Sequence, residues 1–283
     1  MVDIKKVGII GAGQMGSGIA YVSALSGYQV FINDVNADQL AQATQSIEKN
    51  FDRAIKKEQI SPKQKAELFN NLILTSDLNE LSECDLVIEA ASEKEAIKEK
   101  IFTELSSILK DNAYIVTNTS SISITRLAGY TNRPSQFMGV HFMNPVPVMK
   151  LVELIKGIAT SDQTILDMQK FIESLHKVYA QSEDYPGFIV NRILIPMINE
   201  AIYSLYEGVG NVQSIDDSLR LGANMPMGPL QLADLIGLDT CLSIMKVLYE
   251  GFSDTKYRPC PLLVKYVEAG WLGRKSQKGF YDY

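Results

Sequence analysis

Apolar residues recur in two rhythms along this chain, and the change of rhythm divides it. Short apolar runs bounded by polar or glycine residues come first: Val7-Gly8-Ile9-Ile10, Tyr28 to Asp34, Leu72 to Thr75, Asp85 to Ala91, Asn112 to Thr117, Phe137 to Phe142, Leu151 to Ile155 and Lys177 to Ser182. Each reads as a strand, and the most continuous suit a parallel sheet buried on both faces. Between them lie stretches with one apolar face. Gln14 to Leu25 is the first, and Asn36 to about Lys57 is longer, with Leu40, Ala43, Ile47, Phe51 and Ala54 on one side. Ser61-Pro62 opens a helix running to Asn70, Ser92-Glu93 opens another to Leu109, and Asp162 to Leu175 is a third. The alternation predicts an α/β domain over residues 1–185.

Past Asp184-Tyr185-Pro186-Gly187 the period stays helical, over Phe188 to Leu205, Ser214 to Leu221, Leu230 to Tyr249 and Pro261 to Glu268. Residues 186–283 therefore read as an all-α domain. Pro196 falls inside its first helix and should kink it. The run from Leu230 to Tyr249 is so apolar that a subunit interface is its simplest use.

The first strand runs into Gly11-Ala12-Gly13-Gln14-Met15-Gly16, three glycines spaced G-x-G-x-x-G ahead of a helix. In that context the pattern predicts a dinucleotide pyrophosphate site in a Rossmann-like domain. Gly11 permits the tight turn, Gly13 leaves room for phosphates, and Gly16 lets helix and strand approach. Asp34 ends the second strand, where a carboxylate accepts the ribose hydroxyls of NAD and repels the 2′-phosphate of NADP.

Composition narrows the partners. Lys and Arg total 27 against 33 Asp and Glu, a formal charge of -6, which argues against a general nucleic-acid surface. Three separated cysteines, Cys84, Cys241 and Cys260, indicate neither a disulfide scaffold nor a metal cluster. The opening apolar run is broken by glycines and too short to span a bilayer, so no membrane association is expected and the cytoplasm is the default location.

Other residues have two readings. Arg53, Lys56 and Lys57 form either a solvated helix end or a phosphate patch. Asn118-Thr119-Ser120-Ser121 closes a strand, as an N-cap cluster for the next helix or as a ligand-facing loop. Glu93 falls just beyond the carboxyl end of a strand, where ligands of open α/β sheets collect. His141 lies where a strand meets a loop, either structural or an acid/base. Glu153 interrupts an aliphatic strand and needs a partner there, because an unpaired buried carboxylate is costly.

Taken in order, Asn118-Thr119-Ser120-Ser121, His141-Phe142-Met143-Asn144-Pro145, Glu153 and Pro186-Gly187-Phe188-Ile189-Val190-Asn191-Arg192 resemble the L-3-hydroxyacyl-CoA dehydrogenase family, most of all its bacterial 3-hydroxybutyryl-CoA members. The likeness continues through Gly228-Pro229-Leu230-Gln231-Leu232-Ala233-Asp234 and the Trp271 to Lys275 tail, departing at Gln277 where relatives commonly carry glycine. It implies NAD-dependent interconversion of 3-hydroxyacyl-CoA and 3-ketoacyl-CoA, a place in fatty acid or butanoate metabolism, and a homodimer formed through the helical domain. By the same resemblance His141 is the catalytic histidine, Glu153 its partner, Ser120 the serine at the substrate oxygen and Asn191 the asparagine of the second domain. Glu93, Lys98, Asn118 and Asn144 fall with the cofactor. Lys56 and Lys57 are the candidate coenzyme A phosphate contacts. Two rival readings are a dehydrogenase of small free β-hydroxy acids, which would place a lysine where Asn191 stands, and a noncatalytic NAD-binding protein.

Overall fold

The computed structural model describes residues 3–283, which divide into two compact units parting between Tyr185 and Pro186. The first is built on strands β1 (Lys6–Ile10), β2 (Gln29–Asn33), β3 (Leu72–Thr75), β4 (Leu86–Glu89), β5 (Tyr114–Thr117), β6 (Phe137–Phe142), β7 (Leu151–Lys156) and β8 (Val178–Glu183). They form one eight-stranded sheet in the order β3-β2-β1-β4-β5-β6-β7-β8. All neighbours run parallel except β6 and β7, which pair antiparallel. The exception follows from chain length. Only residues 143–150 separate β6 from β7, too few for the helical crossover a parallel neighbour requires.

Helices α1 (Gln14–Leu25), α2 (Ala37–Lys56), α3 (Pro62–Asn70), α4 (Glu95–Ile108), α5 (Ile124–Ala128) and α6 (Asp162–Ser174) complete this unit. Ile9, Ile32, Ile88 and Val116 from the central strands are wholly buried, as β-branched residues of a sheet covered on both faces should be. The amphipathic α2 starts where Asn36 Oδ1 accepts from Asp38 N and lays Phe51 edge-on against Tyr21 of α1. Ser61 and Gln64 cap α3 reciprocally. Helix α4 begins two residues later than Ser92-Glu93 suggests. Glu93 is drawn instead into hydrogen bonds with the loop after β5, leaving the approach to α4 in loop conformation.

The second unit comprises α7 (Val190–Tyr206), α8 (Val212–Asp217), α9 (Pro229–Ile236), α10 (Leu238–Phe252) and α11 (Pro261–Glu268). Three expectations change here. Helix α7 starts at Val190 because Gly187 and Phe188 have φ of 74° and 50°, outside the helical region. The apolar run Leu230 to Tyr249 is two helices, broken at Gly237 with φ 103°. Leu238, Cys241, Leu242, Ile244, Met245 and Leu248 belong to the local core, while Leu235 and Tyr249 of the same run stay exposed. Helix α8 stops at Asp217 and gives way to a wider π-type turn. Pro196 lies within α7, which continues past it. No helix among the described residues is long and apolar enough to cross a membrane.

Candidate active site

At the carboxyl end of β1 the chain turns through Gly11, whose φ is 97° and whose N–H donates to Asn33 O at 2.8 Å. A Cβ there would meet Ala90 O at 2.7 Å. The other glycines differ. A Cβ on Gly16 would lie 1.8 Å from the Gly11 carbonyl oxygen, so the helix reaches the strand only because that atom is missing. Around Gly13 nothing stands within 4 Å, and α1 begins at Gln14 with neither a side-chain cap nor an acid in its first turn. Helix geometry leaves the first-turn N–H groups, those of Gln14, Met15 and Gly16 among them, without intrahelical partners, an arrangement suited to a phosphate. Asp34 Oδ2 accepts from Ala12 N at 2.8 Å and Oδ1 from Asn36 N at 2.9 Å, which fixes the carboxylate beside the turn.

The antiparallel register sets His141 directly opposite Glu153. His141 Nδ1 lies 2.8 Å from Glu153 Oε2, with the imidazole 10 % exposed and the carboxylate wholly buried. A carboxylate only accepts, so Nδ1–H donates and the tautomer is set by Glu153. Directly beyond β5, Asn118 Oδ1 accepts from Phe142 N at 2.9 Å, tying the β5 loop to the end of the His141 strand.

A second charged cluster lies two strands away. Glu93 Oε1 gathers the β5 loop, accepting from Thr119 Oγ1 at 2.5 Å, Ser120 N at 2.8 Å, Ser121 Oγ at 2.9 Å and more weakly Ser120 Oγ at 3.3 Å. Its other oxygen is 3.3 Å from Lys98 Nζ. Lys98 Nζ in turn donates to both oxygens of Glu89 at 2.8 Å. Glu89 ends β4, is wholly buried, and also accepts from Thr117 Oγ1 at 2.6 Å and Ala91 N at 2.8 Å. Burial pushes the Glu93 carboxyl up, but the Lys98 charge and the hydrogen bonds from Thr119, Ser120 and Ser121 outweigh it and hold the group below the usual carboxylate range.

Residues 6–185 match the family described as 3-hydroxyacyl-CoA dehydrogenase, NAD binding domain, and residues 187–283 match its C-terminal domain. The chain belongs to the 3-hydroxyacyl-CoA dehydrogenase family. A 3-hydroxybutyryl-CoA dehydrogenase of Bradyrhizobium diazoefficiens is 61% identical over 280 residues, 99% of this chain and 96% of that protein. One from Clostridioides difficile is 45% identical, over 98% of this chain and 99% of the other. Among solved structures, (S)-3-hydroxybutyryl-CoA dehydrogenase from Ralstonia eutropha superposes with a TM-score of 0.97 at 46% identity, covering 99% of each chain.

The family's cofactor is NAD, and the residues fit it: an open Gly13, an uncapped helix start and an acid at the end of β2. The remaining expected residues fall in different places. Asn144 is exposed, just past β6 and joined to Pro145 by a cis peptide bond. Lys98, expected with the cofactor, is 1 % exposed, and its ammonium is bonded to Glu89 and Glu93. Lys56 and Lys57 are exposed, and the 20 residues of α2 carry them roughly 30 Å from the helix start next to Asp34. Asn191 is half-buried in the first turn of α7, in the second unit. Sequence reasoning missed Glu89 and Thr117, and it gave Thr119 and Ser121 no role of their own within the Asn118 to Ser121 cluster. Its one signal was the acid ending the otherwise apolar β4, the same anomaly that marks Glu153.

Proposed function

We propose that this chain interconverts (S)-3-hydroxybutyryl-CoA and acetoacetyl-CoA, and the observation that carries the proposal is the buried His141–Glu153 pair in a chain of this family. NAD, when bound, supplies the hydride acceptor for C3 of the hydroxyacyl group, and NADH the donor in reverse. The chain's own residues handle the proton. With Nδ1 committed to Glu153, Nε2 of neutral His141 takes the 3-hydroxyl proton during oxidation and returns it to the developing alkoxide during reduction. Glu153 stabilises the imidazolium formed in between. Ser120 hydrogen-bonds the 3-oxygen, and its loop is positioned for this by Glu93. Asn191 binds the thioester end or the same oxygen. Asn118 and Asn144 take up the cofactor.

The reading is tested by following NADH and NADPH oxidation at about 340 nm against acetoacetyl-CoA, longer 3-ketoacyl-CoA thioesters and free acetoacetate. Turnover of acetoacetyl-CoA with NADH is expected. Preference for the free acid, or no turnover of any of them, overturns the reading. Preference for NADPH overturns the role of Asp34.

Coenzyme A brings phosphates to a chain of net charge -6, and Lys56 and Lys57 are our candidates to meet them. The double reversal K56E/K57E should raise the KM for acyl-CoA by about tenfold and leave NADH affinity unchanged; equal losses for both ligands remove the assignment. Homodimerisation through the helical unit is part of the same reading, supported by the exposed Ile193, Val209 and Leu221. Light scattering that gives a monomer removes it. We place the protein in the cytoplasm on its separated, unpaired cysteines, and cell fractionation checks that.

A further inference from the structure

The loop over residues 143–150 joins the His141 strand to the Glu153 strand, so its shape governs how the two residues meet. It also carries Asn144, and it is seated on the cofactor helix: Val146 is buried so close to Gly18 of α1 that a Cβ on that glycine would lie 2.9 Å from Val146 Cβ. Little inside the loop holds it. Pro145 and Pro147 contribute no N–H, and the loop's internal bonds run to one acceptor, Pro145 O, from Val148 N and Met149 N at 3.0 Å each. The carbonyls of Val146 and Met149 are instead taken by one side chain from the turn between α6 and β8. Lys177 Nζ donates to both, at 2.7 Å each.

Lys177 is a costly choice for a brace. It is 9 % exposed, and among the described residues its bonds run to main-chain carbonyls and to no carboxylate. Burial accordingly pulls its ammonium below the ordinary lysine value. An apolar side chain would fill the same space without desolvating a charge, but it would leave two carbonyls in the loop without donors. What the ammonium adds is simultaneous reach to two points of one loop, at residues 146 and 149, through charge-assisted bonds.

We infer that Lys177 is a positioning residue for the dehydrogenase site, fixing the loop that sets the His141–Glu153 alignment and presents Asn144 to the cofactor. The inference rests on the proposed activity only in its turnover arm. The cofactor arm stands on the loop's seat against α1 and is measured without turnover.

The test is K177A beside K177R, with NADH affinity read by fluorescence titration, kcat and KM read with acetoacetyl-CoA, and folding read by circular dichroism below the melting transition. Folded K177A should bind NADH about tenfold more weakly and lose about tenfold or more in kcat. Ethylammonium, which fits the vacated stem and offers the same donors, should recover a large part of both losses, while tetramethylammonium, which has no N–H, recovers neither. K177R, which keeps the charge and N–H donors, should lose less than K177A in both NADH affinity and kcat. If K177A does not fold, K177Q replaces it under the same criteria. A folded variant with a lower melting temperature but wild-type NADH affinity and kcat assigns Lys177 to stability alone and overturns the inference, as does equal rescue by both amines. Absent turnover in wild type, with NADH affinity still dependent on Lys177, overturns the proposed substrate and leaves the loop assignment standing.

Discussion

The glycine turn and the His141–Glu153 pair lie in one sheet, yet they are built on opposite principles. At the turn, atoms are withheld: Gly11, Gly13 and Gly16 create a tight corner, an open space and a close approach by lacking a Cβ. At the pair, atoms are supplied and charges buried, a carboxylate without solvent contact facing an imidazole at 2.8 Å. In the proposed reading the first arrangement binds without doing chemistry, and the second does the chemistry and contributes little to binding, so damage to each should appear in different measurements.

The largest expected effect comes from breaking the second. H141A removes the proposed proton carrier and should lower kcat by about 10² to 10⁴-fold, the usual worth of a positioned general acid or base. NADH affinity, to which the imidazole contributes little in this reading, should stay within about twofold. A comparable loss of NADH binding would show that the two regions are not separable.

Substitutions at the turn sharpen the contrast inside a single motif. Gly13 has φ -68° and ψ -169°, which alanine adopts without strain, and nothing stands near its missing Cβ. G13A should therefore leave the melting temperature nearly unchanged while raising the NADH dissociation constant by about tenfold, because the methyl group occupies space a phosphate needs. G16A is the reverse. Its Cβ falls 1.8 Å from the Gly11 carbonyl oxygen, so α1 must shift, at a cost of about 1–3 kcal/mol in stability. Thermal unfolding without NADH and fluorescence titration with it separate the two, and a destabilised G13A that binds NADH normally would contradict the geometry.

The same difference explains what could be read from sequence. The turn is local, carried by residues 11–16 and an acid one helix later, so spacing alone exposed it. The pair depends on register between two strands. Glu153 announced itself as an acid among aliphatics, and the short connection over residues 143–150 already required an antiparallel neighbour. Nothing in the spacing said that Glu153 would face His141 and not the residue beside it. Gly237 was harder still, because one glycine within an apolar helical period is ordinarily tolerated; only its φ of 103° shows that it ends one helix and starts another. Lys98 was expected near the cofactor on its family position, and its pairing with Glu89, the last residue of β4, went unread. A lysine's destination is set by tertiary packing that no local pattern encodes.

Glu93 combines both principles, a charged group whose task is to shape a loop, and it yields the smallest and most specific effect, one of pH. Its folded carboxyl lies below the usual carboxylate range. The sign follows from linkage: a depressed group contributes fully above its unfolded value, about 4.3 for glutamate, and its contribution is lost as pH falls through the folded value. The order of the Thr119 to Ser121 loop, and NADH affinity with it, should therefore persist into acid and fail only below that point. Removing Lys98 alone would strand the buried Glu89 carboxylate, so the informative change is E89Q/K98M, which deletes both buried charges together. Burial then acts on Glu93 without the ammonium to oppose it, and the acid limb of NADH binding should move to higher pH with affinity near pH 7 reduced by about threefold or less. NADH titrations from about pH 4 to pH 7 read the shift. An unmoved limb would mean that Glu93 organises the hydroxyl loop through its hydrogen bonds alone, with Lys98 and Glu89 serving only the interior.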